Sequence, residues 1–246
     1  MEIIPAIIAK EFKELEEKIK LVEPYIKTVQ LDVMDGIFVP EKTWPYFVDG
    51  QKEESLDYAR DKKTSIDEIN SLKTDIFLEA HLMIDAPHRV LNEWLGSKVK
   101  RIILHWEALE KVHNHELLPY KTQIGPGFPV SNLAEEIHKN NKEFGVALNL
   151  ETPISVLDNF IKYLDMVLLM SVPPGQAGQE FQEAVIPKII ALRQKYPDVK
   201  IAVDGGVSPQ NISKLVEAGA DFLAVGSAIF ASGNPAAALE ELKNKN

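Results

Sequence analysis

Eight short apolar runs recur along the 246-residue chain, at residues 3–8, 27–34, 75–83, 100–105, 144–149, 165–171, 199–204 and 221–226. Each is followed by an amphipathic, charged or loop-like stretch. Strands that are apolar on both faces need cover on both sides, and alternating strands and helices provide it in a parallel sheet. Eight such units in a chain of this length is the count of a (β/α)8 TIM barrel, read here as a single domain over residues 1–246. A doubly wound open sheet is the alternative. It would carry a G-x-G-x-x-G turn after the first strand, and none occurs there. Helical patterns are expected over 12–22, 86–95, 133–140, 181–195, 209–218 and about 235–243. Two connections, 37–74 and 106–131, are too long for plain strand-to-helix loops, and such loops are usually functional or mobile. The charged part from Gln51 to Asn70 has room for an irregular second helix.

Three strands depart from the apolar rule. On the second, Gln30, Asp32 and Met34 share one face while Val29, Leu31 and Val33 share the other. On the third, Glu79, His81 and Met83 share a face, and the seventh ends in Asp204. A carboxylate on a buried strand is costly unless something pairs with it. Alone, Asp32 reads as a brace for a neighbouring loop. Three strands that each deliver such a group near a C-terminal end read as a barrel active site.

Glycines cluster behind the last strands. The loop after the sixth holds Gly175, Gln176, Ala177 and Gly178 before a helix expected to open at Phe181. Gly205-Gly206 follows the seventh strand and Gly226-Ser227 the eighth. Each pair alone is turn chemistry, but three in succession point to backbone amides cradling a phosphate. This needs no basic surface, which matters because the net charge is −10 and the pI about 5.2. That balance argues against nucleic acid or an anionic membrane as partner. With no cysteine there is no disulfide, thiolate nucleophile or thiolate zinc site. No apolar run approaches the ~20 residues of a membrane helix. The N-terminus shows no signal-peptide pattern, so a cytoplasmic protein is expected. His105 reads as a packed, hydrogen-bonded histidine, and His113 and His115 lie in a polar loop without neighbouring ligands. Trp44, Tyr46 and Phe47 read either as a cover for the site or as a subunit contact in a homo-oligomer.

With these residues placed, the chain resembles the ribulose-phosphate 3-epimerase family over nearly its whole length. The landmarks run in order: LDVMDG at 31–36 with FVP at 38–40, HLM at 81–83, and GVALN at 145–149 with Thr152-Pro153. MSV at 170–172, VDGGV at 203–207 and GSAIF at 226–230 complete the series. The resemblance implies a barrel epimerase that inverts C3 of a phosphorylated ketose such as ribulose 5-phosphate. Asp32 and Asp204 match the acid–base pair that works through an enediolate. It also implies one divalent metal ion (Zn, Mn, Fe or Mg), with Asp32, His81 and Asp204 matching three ligands. Met34, Met83 and Met170 match the methionines around the reacting carbon.

Several positions depart from the family's pattern. Gln30 stands at the fourth ligand position, a histidine in the family, and an amide oxygen is a poorer transition-metal ligand than imidazole. Ala6 replaces a serine, Glu41 an asparagine, and the loop 173–178 reads PPGQAG where the family has Asn-Pro-Gly-Phe-Gly-Gly. Allulose 6-phosphate as substrate, or a sugar-phosphate-binding homologue with little turnover, are the alternative readings. The neighbouring decarboxylating and condensing barrels need an Asp-x-Lys-x-x-Asp pattern, which is absent around His81.

Overall fold

The structure, a computed structural model, describes residues 1–46, 65–114 and 130–245. Eight strands close a parallel barrel in sequence order. They are β1 (Glu2–Ile7), β2 (Thr28–Met34), β3 (Phe77–Met83), β4 (Arg101–His105), β5 (Glu143–Leu148), β6 (Met166–Met170), β7 (Lys200–Asp204) and β8 (Phe222–Val225). β1 pairs with both β2 and β8, which removes the sheet edges. Among the described residues, no helix is long and apolar enough to cross a membrane.

Outward residues such as Val29, Leu31 and Val33 pack under the helices in one large core. The inward residues form layers. At the bottom, the guanidinium of Arg101 pairs with Glu79 and with Glu143, and lies 5.0 and 5.4 Å from the Phe77 and Phe222 ring centres. Ile103, Ala147, Leu168 and Ala202 fill the middle. Met34, Met83 and Val39 pack together near the top.

The helices are α1 (Phe12–Val22), α2 (Ser65–Ser71), α3 (Leu91–Leu95), α4 (Trp106–Asn114) and α5 (Val130–Lys139), then α6 (Val185–Lys195), α7 (Ile212–Ala218), α8 (Ser227–Phe230) and α9 (Pro235–Asn244). α1 has the bounds expected from its apolar spacing, with Leu15, Ile19 and Val22 buried. Elsewhere the expectation needs correction. α6 opens at Val185 and not at Phe181. A start at Phe181 would put Pro187 inside the helix, clashing with the Glu183 carbonyl; a start at Val185 leaves it in the first turn, where no N–H is needed. The expected helix over 86–95 splits into a 3-10 turn, Pro87–Arg89, and the five residues of α3, joined at Val90 with φ −108° and ψ −5°. α4 departs straight from β4 with no turn residue between them, so the reading of 106–131 as one loop missed it. Of the 37–74 connection, α2 is the helical part described. Phe47 and most of the charged stretch from Gln51 lie outside the described residues, as does His115.

Candidate active site

β2 reaches the mouth with every residue buried, so its inward side chains are set by alternation alone. Its end is pinned by Thr43. The Thr43 hydroxyl donates to the Asp32 carbonyl at 2.9 Å and accepts the Met34 N–H at 2.9 Å. Asp35 then accepts the N–H groups of Ile37, Phe38 and Asp85, which ties the β2 loop to the β3 loop. The end of β7 is held by Ser171, whose N–H and hydroxyl both donate to the Asp204 carbonyl, at 2.8 and 2.9 Å. Thr43 carried no sequence signal and Ser171 only its place in the MSV landmark, because a hydroxyl's partner is set only by the fold.

The two carboxylates converge on one side chain. Gln30 Nε2 donates to Asp32 Oδ1 at 2.8 Å and to Asp204 Oδ2 at 2.7 Å, while its Oε1 is buried without a hydrogen-bond partner. His81 Nδ1 lies 3.2 Å from the same Asp32 oxygen and 3.4 Å from the same Asp204 oxygen. Asp32, His81 and Asp204 each bring a ligand atom within 4.8 Å of the others, a grouping that could hold a metal ion. Burial and the charge of Asp204 push the Asp32 carboxyl above the usual carboxylate range, against hydrogen bonds from His81 and Gln30. Burial disfavours charge on His81 too, but its contacts with Asp204 and Asp32 outweigh that and hold it up at about 9.

Beside His81, at the C-terminal end of β4, sits a residue that reads from sequence as packed and hydrogen-bonded. His105 is fully buried, its Nε2 is 2.9 Å from His81 Nε2, and the rings stack with centres 4.9 Å apart. Its Nδ1 faces Glu107 Oε2 at 3.3 Å, and Glu107 also accepts from the Asn149 N–H at 2.9 Å and from Thr152 Oγ1. Burial drops His105 to about 4, so it is neutral. Burial opposes charge on Glu107, but the His105, Thr152 and Asn149 bonds hold it down at about 2. With Nδ1–H committed to Glu107, His105 Nε2 is an acceptor, and His81 Nε2–H donates to it. The signal was present in strand period, since His105 shares its face with Arg101 and Ile103. The reading as a packed, hydrogen-bonded histidine holds, and the structure supplies its partners, His81 and Glu107.

Met34, Met83 and Met170 line the cavity above, together with Gly175, Gln176, Ala177, Gly178, Gly205, Gly206, Gly226 and Ser227. No lysine or arginine lines it among the described residues. Its volume is about 60 Å³, room for a few waters and less than a pentose phosphate. The loop 173–178 roofs it. Gly175, at φ +110°, lies so close to Val39 that a Cβ would come within 2.9 Å of the valine's own. Gln176 Nε2 donates to Glu41 Oε1 at 2.7 Å, fastening this roof to the β2 loop through two of the positions that depart from the family. Gly206, at φ +59°, presses on the Phe181 backbone, where a Cβ would meet the nitrogen at 2.7 Å. Glu79 does not join the site with His81, being committed to Arg101 one layer down. Trp44 neither covers the mouth nor stands exposed. It packs on Phe12 and Trp94, and its Nε1 donates to Glu68 at 2.7 Å.

Comparison with known proteins agrees with this geometry. The sequence profile of the ribulose-phosphate 3 epimerase family matches residues 61–125 and 129–230. The ribulose-phosphate 3-epimerase of a Synechocystis species is 33% identical over 248 residues, covering 98% of this chain and 93% of that protein. The Bacillus subtilis protein of the same name is 30% identical over 250 residues, covering 99% and 98%. Among solved structures, 3-hexulose-6-phosphate synthase from Salmonella typhimurium superimposes with a TM-score of 0.65 at 13% identity, covering 100% of this chain and 98% of that one, a likeness of fold alone. On the family profile and these full-length relatives, the chain belongs to the ribulose-phosphate 3-epimerase family, and so to the isomerases.

Proposed function

We propose that this protein inverts C3 of a phosphorylated ketose, interconverting ribulose 5-phosphate and xylulose 5-phosphate, with Asp32 and Asp204 as the acid–base pair. The observation that carries this is the convergence of carboxylates from β2 and β7 on a single buried nitrogen at the floor of the cavity. A planar enediolate held between them has one carboxylate to take the C3 proton and the other to return one on the opposite face. Asp32, raised by burial and by Asp204, has the proton affinity that such an exchange requires. Met34, Met83 and Met170 crowd the reacting carbon and keep water from quenching the intermediate. Backbone amides of Gly175–Gly178, Gly205-Gly206 and Gly226-Ser227 are the phosphate cradle, since the cavity wall offers no cationic side chain.

Two carboxylate oxygens and one imidazole nitrogen that already converge fit a divalent cation, so Asp32, His81 and Asp204 would hold it. When bound it supplies Lewis-acid stabilisation of the enediolate oxygens. Tethering His81 Nε2–H to His105 leaves Nδ1 as the donor atom on the carboxylate side. The second reading, a sugar-phosphate-binding protein with little turnover, draws support from Gln30, whose amide stands between the two carboxylates. One experiment separates them. Ribulose 5-phosphate is incubated with the protein in D2O, with and without Zn2+, Mn2+ or Mg2+, and exchange at C3 is followed by NMR. Exchange that is lost in Asp32→Asn and in Asp204→Asn is expected. Tight binding of the sugar phosphate without exchange under any condition would replace the epimerase with the binding protein.

A further inference from the structure

Gln30 occupies the point on which the carboxylates converge. Its Nε2 is within 2.8 Å of one oxygen of each aspartate and 3.4 Å from His81 Nδ1. The assignment of nitrogen to this point follows from chemistry, because an amide oxygen there would face two carboxylate oxygens at contact distance. The NH2 group has two hydrogens, one for each aspartate. In the absence of a cation it acts as a neutral clamp that offsets part of their mutual repulsion. The other end of the amide is unsatisfied, since Oε1 is buried and accepts nothing. A buried acceptor left unpaired is costly, and the terminal torsion of a glutamine is broad and soft. A half-turn about that torsion exchanges the two ends. It is unfavourable while the carboxylates stand alone and favourable once a positive charge lies between them.

We propose that Gln30 is a two-state ligand. In the metal-free protein its NH2 clamps Asp32 to Asp204, and on entry of a divalent cation the amide turns over so that Oε1 becomes a fourth donor. This rests on the reading of Asp32, His81 and Asp204 as metal ligands, and it adds three consequences. The site stays assembled without metal. Metal entry gives up two charge-assisted hydrogen bonds, so affinity is lower than with an imidazole at the same position. A set of three oxygens and one nitrogen leans towards Mn2+ or Mg2+ and away from Zn2+.

The test uses the full chain after chelator treatment, with the side-chain amide of Gln30 observed by 1H–15N NMR and assigned by its absence in Gln30→Glu. Without metal, its NH2 pair is expected to be displaced from the bulk glutamine signals and slow to exchange with water. Addition of diamagnetic Mg2+ or Zn2+ should move that pair to a new position in step with one molar equivalent bound by calorimetry. Gln30→His should bind Zn2+ about tenfold tighter or more, since the two amide hydrogen bonds are then not surrendered on metal entry. Metal bound with the Gln30 resonances unmoved would overturn the turnover of the amide. Binding by Gln30→His alone would overturn it too, showing a clamp that excludes the cation. Binding by neither protein would reject the metal reading beneath the proposal, with the clamp still visible in the metal-free spectrum.

Discussion

Glu79 and His81 point inward from the same strand two residues apart, yet they enter two polar clusters that handle charge in opposite ways. In the lower one, two carboxylates share a guanidinium. Arg101 pairs with Glu79 and with Glu143, and two aromatic rings flank it. In the upper one, two carboxylates share an amide nitrogen and one ring nitrogen of an imidazole. The lower cluster carries a permanent cation that closes the barrel floor. The upper has no permanent cation; proton affinities are shifted in both, Glu79 up to about 7 by burial against the pull of Arg101 below, and Asp32 upward and His81 to about 9 above. A buried cluster built round a permanent cation serves the fold, while one without such a cation is available to a proton, a metal or a substrate.

That contrast predicts opposite responses to mutation. Asp32→Asn or Asp204→Asn is expected to lower C3 exchange by about a thousandfold or more while leaving the melting temperature unchanged or raised, because removing one acid–base group typically costs 10²–10⁴ and also relieves repulsion. Exchange rates and calorimetry on the same preparations check it, and a fall in stability to match the fall in activity would erase the difference between the clusters. In the lower cluster, Arg101→Met should destabilise by about 3–5 kcal/mol, since it strands the Glu79 charge. The double change Glu79→Leu with Arg101→Met should recover most of that loss in denaturant titrations. A single mutant as stable as the parent would mean that the floor does not depend on the ion pair.

His105 sharpens the contrast from within the upper cluster. His105→Phe keeps the ring stack but removes the acceptor for His81 Nε2–H. The expected result is a kcat lower by about 10- to 100-fold with KM little changed, the usual cost of losing a partner that orients a ligand. Partial recovery in His105→Gln, whose amide oxygen can accept the same bond, would mark it as a positioning residue; equal losses in both would mark it as packing. Glu107 supplies the acid limb. Its folded value of about 2 lies below the ordinary 4.5, so its contribution is present above pH 4.5 and is lost as pH falls towards 2. The stability difference between the parent and Glu107→Gln should therefore shrink over that window, by at most about 3 kcal/mol. Smallest of all, Gln176→Ala frees the roof from Glu41 and should shift KM by only a few-fold, one exposed hydrogen bond to a charged group. No change in KM would show that loop 173–178 opens without resistance from this pair.

Much of the site was legible in the chain because strand period is local. Gln30, Asp32 and Met34, then His81 and Met83, had to share inward faces once their strands were placed, and each glycine pair behind β6, β7 and β8 had to follow its strand. α1 was legible for the same reason, its apolar spacing and its bounds being written within one helix. What alternation cannot say is which inward side chains of different strands meet. It put Glu79 beside His81, and only the closure of the barrel brought Arg101 from β4 to take it away. It left His105 as a packed, hydrogen-bonded histidine, and only the pairing of β3 with β4 set its ring against His81. The family resemblance placed Gln30 at the fourth ligand position, and only the approach of β7 to β2 put its nitrogen between two carboxylates. Periodicity is a property of one strand's backbone, whereas hydrogen bonds and charge pairs between strands depend on register and barrel closure, which exist only once all eight strands are in place.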